Sequence, residues 1–341
     1  MLSNGAINPI SIFFVKSQYM HAALAILSMA HAQALTTVTY SAWYDTTYNY
    51  PKGCNNDALK DEDDASVTFT GDGYLNCGKT GSGTPFAKTT HNGQDCGVAD
   101  LNGLMYEINI GVTCIATSKS ITSITKTNPC RLTIAGHGRS TGDYVDISAI
   151  VGTTQLNDKI YKITVVDENN ITLDGVDSSA FGTYVSGGTA IFGVFYRAKA
   201  SAGMEDFTSG ESGAADHWGS VGVAAMMESF VPAFKTAYPN NGYAQRMGSG
   251  SNQVLSEALS GNDFILTNMG FPKNAAGIDT TGTNLFGKDY FYQKIVDNLC
   301  LLSGGYWSDG AAAGVWNSYW AGSRTNSSHN VGFRCACYPV H

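Results

Sequence analysis

Charged residues are scarce in this chain, and no cluster of lysine or arginine occurs in it. Only 14% of the 341 residues are charged, and the formal net charge is -8. Nucleic-acid binding requires a basic face, so this balance excludes a nucleic-acid partner. No apolar run reaches the roughly 18 residues that a membrane-spanning helix needs, so no membrane insertion is expected. With 8 prolines and 39 glycines, the sequence indicates a globular protein with many turns.

The sequence also lacks the ligand spacing of a metal site. Its eight cysteines include no C-x-x-C pair and its seven histidines are scattered, so we predict no metal and no cofactor. We interpret the cysteines as small buried hydrophobes of a reducing compartment, with disulfides as the open alternative. Cys335 and Cys337 lie two apart, which places both on one face of a strand.

Two further motifs do not predict a ligand site. Residues 73–80 match the G-x-x-x-x-G-K-[ST] phosphate loop, but a glycine- and serine-rich stretch ending at Pro85 follows where a helix is needed, so nucleotide binding is rejected. A run of acidic residues is interpreted as a solvated turn rather than a cation site. Its members are Asp57, Asp61, Glu62, Asp63 and Asp64.

The N-terminus contains two apolar runs, residues 10–15 and 22–27, followed by Ala32-Gln33-Ala34. This order resembles a signal peptide with its cleavage site. Lys16 and His21 interrupt the runs, however, and no basic residue precedes them. We therefore predict a helix over residues 17–33, in which Met20, Leu24, Leu27 and His31 recur at helical spacing.

From about residue 118 to 192 the pattern changes to short β-forming runs separated by glycine and asparagine turns. The predicted strands are 121–125, 131–135, 143–148, 159–166, 171–173 and 189–192. We predict a small all-β insertion domain at residues 117–192. Through residues 133–138 and 184–190 it resembles the compact β domains inserted in phage tail and adhesion proteins, for which a spacer or oligomerisation role without a ligand is expected.

Two motifs on either side of this domain resemble a single family. They are Gly97, Asp100, Leu101, Gly103 and Glu107, and far downstream Gly332, Phe333 and Arg334. They are similar to the signature of the C-type-lectin-like fold, as found in formylglycine-generating enzymes and in the variable proteins of diversity-generating retroelements. The resemblance implies an α+β fold, C-type-lectin-like and interrupted by the all-β domain. It implies an N-terminal arm at 1–12 and lectin-like parts at 13–116 and 193–341.

The C-terminal composition favours the variable proteins among these relatives. Between Leu302 and Gly332 the only formal charges are Asp309 and Arg324, while glycine, serine, asparagine, tyrosine and tryptophan dominate. Tyrosine and tryptophan give contact area at low entropic cost, and small polar residues give adaptable hydrogen bonds, as in binding loops. We predict a variable ligand-binding region at about 301–337, and an ordinary glycine-rich loop is the alternative.

The resemblance implies two interleaved sets of residues in this region. The set expected to face the ligand is Tyr306, Ser308, Asp309, Ala311, Ala312, Asn317, Tyr319, Ala321, Ser323, Ser327, Ser328 and His329. The set expected to hold the backbone is Gly305, Trp307, Gly314, Val315, Trp316, Arg324, Val331, Gly332 and Phe333.

The function that this resemblance implies is binding without catalysis. We expect a receptor-binding protein of a phage virion, on the tail fibre or tail tip, that is assembled in the host cytoplasm and binds a host cell-surface protein or glycan. Other virion tail proteins are expected partners, and the resemblance implies a homo-oligomer, with a trimer as the expected form. One alternative is a formylglycine-generating-type enzyme, although Cys335 and Cys337 depart from its reactive pair. The other is a purely structural virion or decoration protein. Calcium-dependent sugar binding is not expected, because Trp316-Asn317-Ser318 lacks the carboxylate ligand.

Overall fold

The computed structural model of the protein describes residues 11–34, 50–199, 227–232, 234, 244–247, 269–271, 278–279 and 289–339. The predicted N-terminal arm, residues 1–12, therefore lies outside the described residues except for its last two. The first elements in chain order are β1 (Ser11–Val15), α1 (Gln18–Ala34), β2 (Tyr106–Asn109), β3 (Val112–Ser120), β4 (Ser123–Thr125), β5 (Arg131–Thr133), β6 (Tyr144–Val151), β7 (Lys159–Asp167), β8 (Asn170–Leu173) and β9 (Ser186–Ala198). The later ones are β10 (Met227–Phe230), β11 (Ala244–Met247), β12 (Ile278–Asp279), β13 (Tyr290–Gln293), β14 (Leu299–Gly304), β15 (Gly314–Ser323), β16 (Val331–Phe333) and β17 (Cys335–Pro339).

Two large β-sheets dominate the described part of the chain. One has eight strands and the other has seven. The prediction of an α+β, C-type-lectin-like fold is therefore wrong, because these residues are mostly β and contain a single α-helix. The physical reason is visible in β13, where half-buried and buried side chains alternate with a period of two. That alternation specifies a strand, whereas the family motif on which the prediction rested constrains only a few positions.

The seven-stranded sheet has the order β12-β11-β13-β15-β14-β2-β16. It joins distant parts of the chain, because β2 precedes the eight-stranded sheet in sequence and pairs with both β14 and β16. The first and last described strands, β1 and β17, pair antiparallel beside it, with Val15 opposite Cys335. The sheet's strands therefore come from both sides of the predicted insertion.

Helix α1 packs against β15 of this sheet. Its bounds confirm the predicted helix to within one residue, but the buried stripe is a different one. The buried side chains are Gln18, His21, Ala22, Ala25, Ser28, Met29 and Ala32, spaced three or four apart. Leu27 is 54% exposed instead. The prediction followed the larger apolar residues, whereas the helix buries mainly small and polar ones together with Met29.

The eight-stranded sheet contains β3 to β9 together with β10. β3 and β9 pair antiparallel over the whole of β3, from Val112 opposite Arg197 to Ser120 opposite Thr189. The strands predicted at 131–135, 143–148, 159–166 and 171–173 are confirmed to within a few residues. β9 is longer than predicted, because it begins at Ser186 and runs to Ala198. Its second half pairs with β10 and so continues beyond the predicted domain boundary.

The segment between β3 and β9 encloses its own hydrophobic core, and we call residues 117–192 the β module. Leu132, Ile134 and Ile163 are fully buried in this core. The module also contacts the larger core of the protein, because the Tyr144 ring lies 4.9 Å from the ring of Phe234. Ile160 of the module is also buried in the larger core, and Ile191 packs against it. The module thus combines a separate core with a small apolar contact to its surroundings.

We expect the isolated β module, residues 117–192, to fold with a single cooperative thermal transition, because its buried side chains pack mainly on each other. Leu132→Ala should then lower the fragment's free energy of unfolding by about 2–5 kcal/mol, the usual loss for a buried leucine. Tyr144→Ser should have little effect in the fragment and a larger one in the full chain, where Phe234 is its neighbour. Circular dichroism melting curves of the fragment, of its two variants and of the full-length Tyr144→Ser variant measure these effects. A fragment without a transition would show that the module depends on the rest of the chain.

Residues 50–104, all of which are described, form an irregular region with one short 3-10 helix at Phe86–Thr89. Residues 73–80 lie in turns and are followed by no α-helix there, as expected from the rejected phosphate loop. The acidic run contains one exception to the predicted solvated turn: Asp61 is 2% exposed. Its carboxylate accepts hydrogen bonds from the backbone N–H groups of Gly53, Asp63 and Asp64, so it organises the loop instead.

Seven cysteines carry free thiols, namely Cys54, Cys77, Cys96, Cys114, Cys130, Cys300 and Cys335. Cys54, Cys77, Cys114 and Cys130 are buried, as predicted, whereas the side chains of Cys96 and Cys335 are exposed. Burial raises the pKa of the Cys54 thiol to about 11, which keeps it protonated near neutral pH. The described residues include no helix that is long and apolar enough to cross a membrane.

Candidate ligand-binding cleft

A cleft of about 510 Å³ lies on one face of the seven-stranded sheet. Its floor is formed by side chains of β13, β14, β15 and β2, and its wall by residues 322–331. The volume is in the range of clefts that hold small ligands or a protruding part of a larger one. The cleft is therefore the leading candidate for a binding site among the described residues.

Four tyrosines form a continuous ladder in this cleft. The ring centroid of Tyr306 lies 5.4 Å from that of Tyr106, which lies 5.3 Å from that of Tyr319. Tyr319 in turn stacks on Tyr292, with centroids 5.0 Å apart and ring planes within 10°. The last contact follows from the register, since Tyr292 and Tyr319 are direct partners on the parallel strands β13 and β15. Such aromatic pairs hold their side chains in place, so the ladder is preorganised.

The residues that alternate with the ladder anchor the sheet from behind. Trp320 follows Tyr319 in β15 and points to the opposite face, where it is fully buried. Its indole Nε1 donates a hydrogen bond of 2.6 Å to Ser318 Oγ. Phe291, the neighbour of Tyr292, is buried on the same face. The period of two in these strands thus separates a cleft face from a core face.

One end of the cleft contains a partly buried carboxyl group, that of Asp309. Asp309 Oδ2 accepts a hydrogen bond of 3.0 Å from the backbone N–H of Tyr306. The Tyr106 hydroxyl also hydrogen-bonds to this carboxyl group. Burial raises the pKa of Asp309 to about 6, against the effect of both hydrogen bonds. The group is thus mostly ionised at neutral pH although its environment disfavours the charge.

Asn317 contributes an unsatisfied acceptor to the same cleft. It is 2% exposed, and its Nδ2 donates a hydrogen bond of 2.8 Å to the carbonyl of Ala312. Its Oδ1 is buried and has no partner among the described residues. An unpaired buried amide oxygen costs free energy, so this atom is primed to accept a hydrogen bond from a ligand or water.

The other charged residue of the cleft lining is Arg324. Its backbone N–H donates to the carbonyl of Asn298, just before β14 begins, and its Nη2 donates a hydrogen bond of 2.7 Å to Thr113 Oγ1. Asp309 instead follows the far end of β14. The two formal charges of the C-terminal region are therefore separated by the length of a strand.

The structure brings together half of the residues predicted to face the ligand. Those that line the cleft are Tyr306, Asp309, Asn317, Tyr319, Ser323 and Ser328. Ser308, Ser327 and His329 are exposed beside it, whereas Ala311 and Ala321 are half-buried. The expectation of display is wrong for Ala312 and Asn317, which are 7% and 2% exposed, although Asn317 borders the cleft. Ala312 ends the 3-10 helix Gly310–Ala312, and Asn317 lies in β15 with its Nδ2 bonded back to the Ala312 carbonyl.

Of the nine predicted frame residues, five are buried, three are half-buried (Arg324, Val331 and Gly332) and Phe333 is exposed. Trp307, Val315 and Trp316 are at most 5% exposed, as a frame requires. Phe333 is 66% exposed, so its assignment to the frame is wrong. It ends β16, the outermost strand of its sheet, where its side chain has few neighbours to pack against.

Sequence reasoning missed the cleft residues outside the C-terminal region. Tyr106, Tyr290 and Tyr292 line the cleft but lie up to about 200 positions away from the segment singled out by composition. The alternation of tyrosine with buried residues over 290–293 was the available signal. It predicts a strand, but the partner strand follows only from the three-dimensional pairing.

A buried cluster of charges behind the cleft connects β2 to Lys16 and Arg334. The Glu107 carboxylate forms ion pairs with Lys16 and with Arg334, whose Nη2 lies 2.6 Å from Glu107 Oε1. Lys16 Nζ also donates a hydrogen bond of 2.8 Å to Nδ1 of His21, whose Nε2 donates to the Val315 carbonyl. Burial opposes the Glu107 charge, but the two cations hold its pKa below the usual value. Glu107 and Arg334, which both belong to the family motif, thus meet in space.

The glycine of that motif also has a structural role. Gly103 adopts a φ angle of +74°, a backbone conformation that favours glycine. A Cβ atom at this position would lie 2.5 Å from the carbonyl oxygen of Cys54. A larger residue is therefore disfavoured by both backbone strain and a clash.

Comparison with known proteins covers one part of the chain. Residues 127–191 match the family described as the ubiquitin-activating enzyme E1 FCCH domain. The match lies inside the β module and includes none of the residues that line the cleft. No curated protein matches the chain. In the described residues, no group of three or more histidine, cysteine, aspartate or glutamate side chains is placed to hold a metal ion.

Proposed function

We propose that this protein is a binding protein whose ligand occupies the cleft, and that it serves as a receptor-binding protein on a phage virion. The observation that carries the proposal is the ladder of four tyrosines along the cleft floor. Tyrosines combine a large apolar area with a polar hydroxyl, and the small polar residues of the wall add hydrogen-bonding groups. The ligand on this proposal is a host cell-surface protein or glycan.

The rigidity of the cleft floor supports binding rather than catalysis. Each tyrosine of the ladder is held by its neighbours, and the strands beneath it are anchored by buried residues such as Trp320. A preformed surface loses little conformational entropy when a ligand binds, which increases affinity. Several copies on one particle would increase the apparent affinity further through effective concentration. A homotrimer remains our proposal for the assembly.

We expect Tyr319→Ala to weaken attachment to host cells at least about tenfold, because truncating a central aromatic residue of an interface removes much of its binding energy. Labelled protein is incubated with a panel of bacterial strains, and cell-bound label is measured by flow cytometry. Leu27→Ala is the matched control, since Leu27 is 54% exposed on helix α1 and not part of the cleft lining. Equal attachment of both variants would contradict the proposed site.

Two further observations separate this proposal from its rivals. A purely structural virion protein would bury the cleft against a neighbour, so Tyr319 would resist chemical modification in the intact particle. An enzyme of the formylglycine-generating type would depend on Cys335, whose exposed thiol is open to alkylation. We expect alkylation of native protein to leave cell attachment unchanged. In the variable proteins that this chain resembles, a reverse transcriptase rewrites adenines in a C-terminal repeat. If residues 301–337 vary in this way, the neighbouring DNA should contain a near-copy of their codons that differs mainly at adenines.

A further inference from the structure

The Asp309 end of the cleft is rich in hydrogen-bond acceptors. It contains the Asp309 carboxylate, the buried and unpartnered Oδ1 of Asn317, and the Tyr106 hydroxyl, which already hydrogen-bonds to Asp309. The nearby amide donors are already engaged, because the Tyr306 N–H is bound to Asp309 and the Asn317 Nδ2 to the Ala312 carbonyl. The end therefore offers acceptors and one negative charge to whatever enters it.

A ligand that completes this site must supply several donors and a positive charge. A primary ammonium group has three donors, no acceptor and one full positive charge, so it meets both requirements. Hydrogen bonds between such a group and a carboxylate are among the stronger ones that proteins make. The protein's net charge of -8 would also attract cations during the encounter.

We propose that the ligand inserts a primary ammonium group, of the kind that ends a lysine side chain, between Asp309 and Asn317. This inference rests on the proposed function, in which the cleft is the binding site. The ammonium group ion-pairs with the Asp309 carboxylate and donates to Asn317 Oδ1, while its carbon chain lies along the tyrosine ladder. Tyr319 then contributes apolar contact, and Asp309 contributes the selectivity for charge.

Three model compounds of similar shape test the two requirements separately. They are the Nα-acetyl methylamides of lysine, trimethyl-lysine and norleucine, titrated into the full chain and followed by NMR chemical shifts. Trimethyl-lysine keeps the charge without N–H donors, and norleucine has neither. We expect the lysine compound to bind about tenfold or more tightly than the norleucine compound, with trimethyl-lysine between them. Equal affinities, or no binding of the lysine compound, would overturn the inference. A quaternary compound that binds most tightly would do so as well, since it donates no hydrogen bond.

The substitution Asp309→Asn tests the role of the charge with almost no change in shape. It should abolish the preference for lysine over norleucine, while Asp95→Asn, which changes the net charge equally at an exposed position, should preserve it. Cell attachment of the same variants distinguishes the two proposals. If Tyr319→Ala weakens attachment and Asp309→Asn does not, the cleft binds its ligand without the ammonium contact. If neither weakens it, the proposed function itself fails.

Discussion

The substitution Glu107→Gln is expected to lower the free energy of unfolding by about 3–5 kcal/mol, the usual cost of breaking a buried ion pair on one side. Glu107 joins two cations, and Lys16 is fully buried beside it. Without the carboxylate, Lys16 and Arg334 would face each other with no counter-charge. The amide of glutamine would also direct donors at them. Urea denaturation at pH 7 measures the loss.

Removing Lys16 instead is the matched control for this prediction. Lys16→Met leaves the Glu107–Arg334 pair intact, and Ser303 Oγ remains 3.3 Å from His21 Nδ1 as an alternative donor. We therefore expect a clearly smaller loss than for Glu107→Gln, and the double variant should recover part of the loss. Equal losses in the two single variants would contradict this account.

The pH dependence of the Glu107→Gln variant provides an independent check. Burial lowers the pKa of Lys16 to about 8 although Glu107 opposes this, so removal of Glu107 should lower it further. The unfolded chain keeps the lysine proton up to a pH of about 10.4. The unfolded state then binds more protons than the folded state, and the stability of the variant rises with pH. The loss of unfolding free energy relative to the original protein should therefore be smaller at pH 9 than at pH 7.

The second large effect is expected from Trp320→Ala, which should lower the free energy of unfolding by about 3–5 kcal/mol. Trp320 is fully buried, and its removal would open a cavity behind the cleft floor. The rings that would lose contact are those of Phe195, Phe230, Phe271 and Phe291. Trp320→Phe keeps part of these contacts, so its free energy of unfolding should lie between those of Trp320→Ala and the original protein.

Tyr319 supplies the comparison, because it is the next residue of β15 and points to the opposite face. Tyr319→Ala should cost only about 1–2 kcal/mol of stability, as for a half-buried side chain, although it should strongly weaken attachment. Thermal melting and cell attachment on the same two variants separate packing from contact. If Tyr319→Ala proved as destabilising as Trp320→Ala, the ladder would be part of the core and its role in binding would be in doubt.

Local patterns in the sequence predicted several elements correctly. The apolar spacing of residues 17–33 identified helix α1, and alternation identified strands β5 to β8. The fold class was wrong because it depended on a few motif positions. The partners of β2, namely β14 and β16, lie about 200 residues further along the chain, and no local pattern encodes such pairing.

Only the locally encoded part of the cleft was predicted from the sequence. Composition identified Tyr306, Asp309 and Tyr319, because a binding mixture of residues is a local property. It missed Tyr106 and Tyr292, whose place beside Tyr319 depends on strand register. It also counted Ala312 as displayed, because the inward turn of a 3-10 helix cannot be inferred from one small residue.

The pairing of β3 with β9 has a consequence for how this architecture can vary. Ala116 and Gly193 are direct partners at the base of the β module, so the chain leaves and returns at neighbouring points. Any domain whose two ends lie about 5 Å apart has the geometry to replace the β module at this point of the chain. A replacement needs apolar side chains where Tyr144 covers Phe234 and where Ile160 is buried in the larger core. With that provision, the β module is exchangeable while the cleft of the seven-stranded sheet stays unchanged.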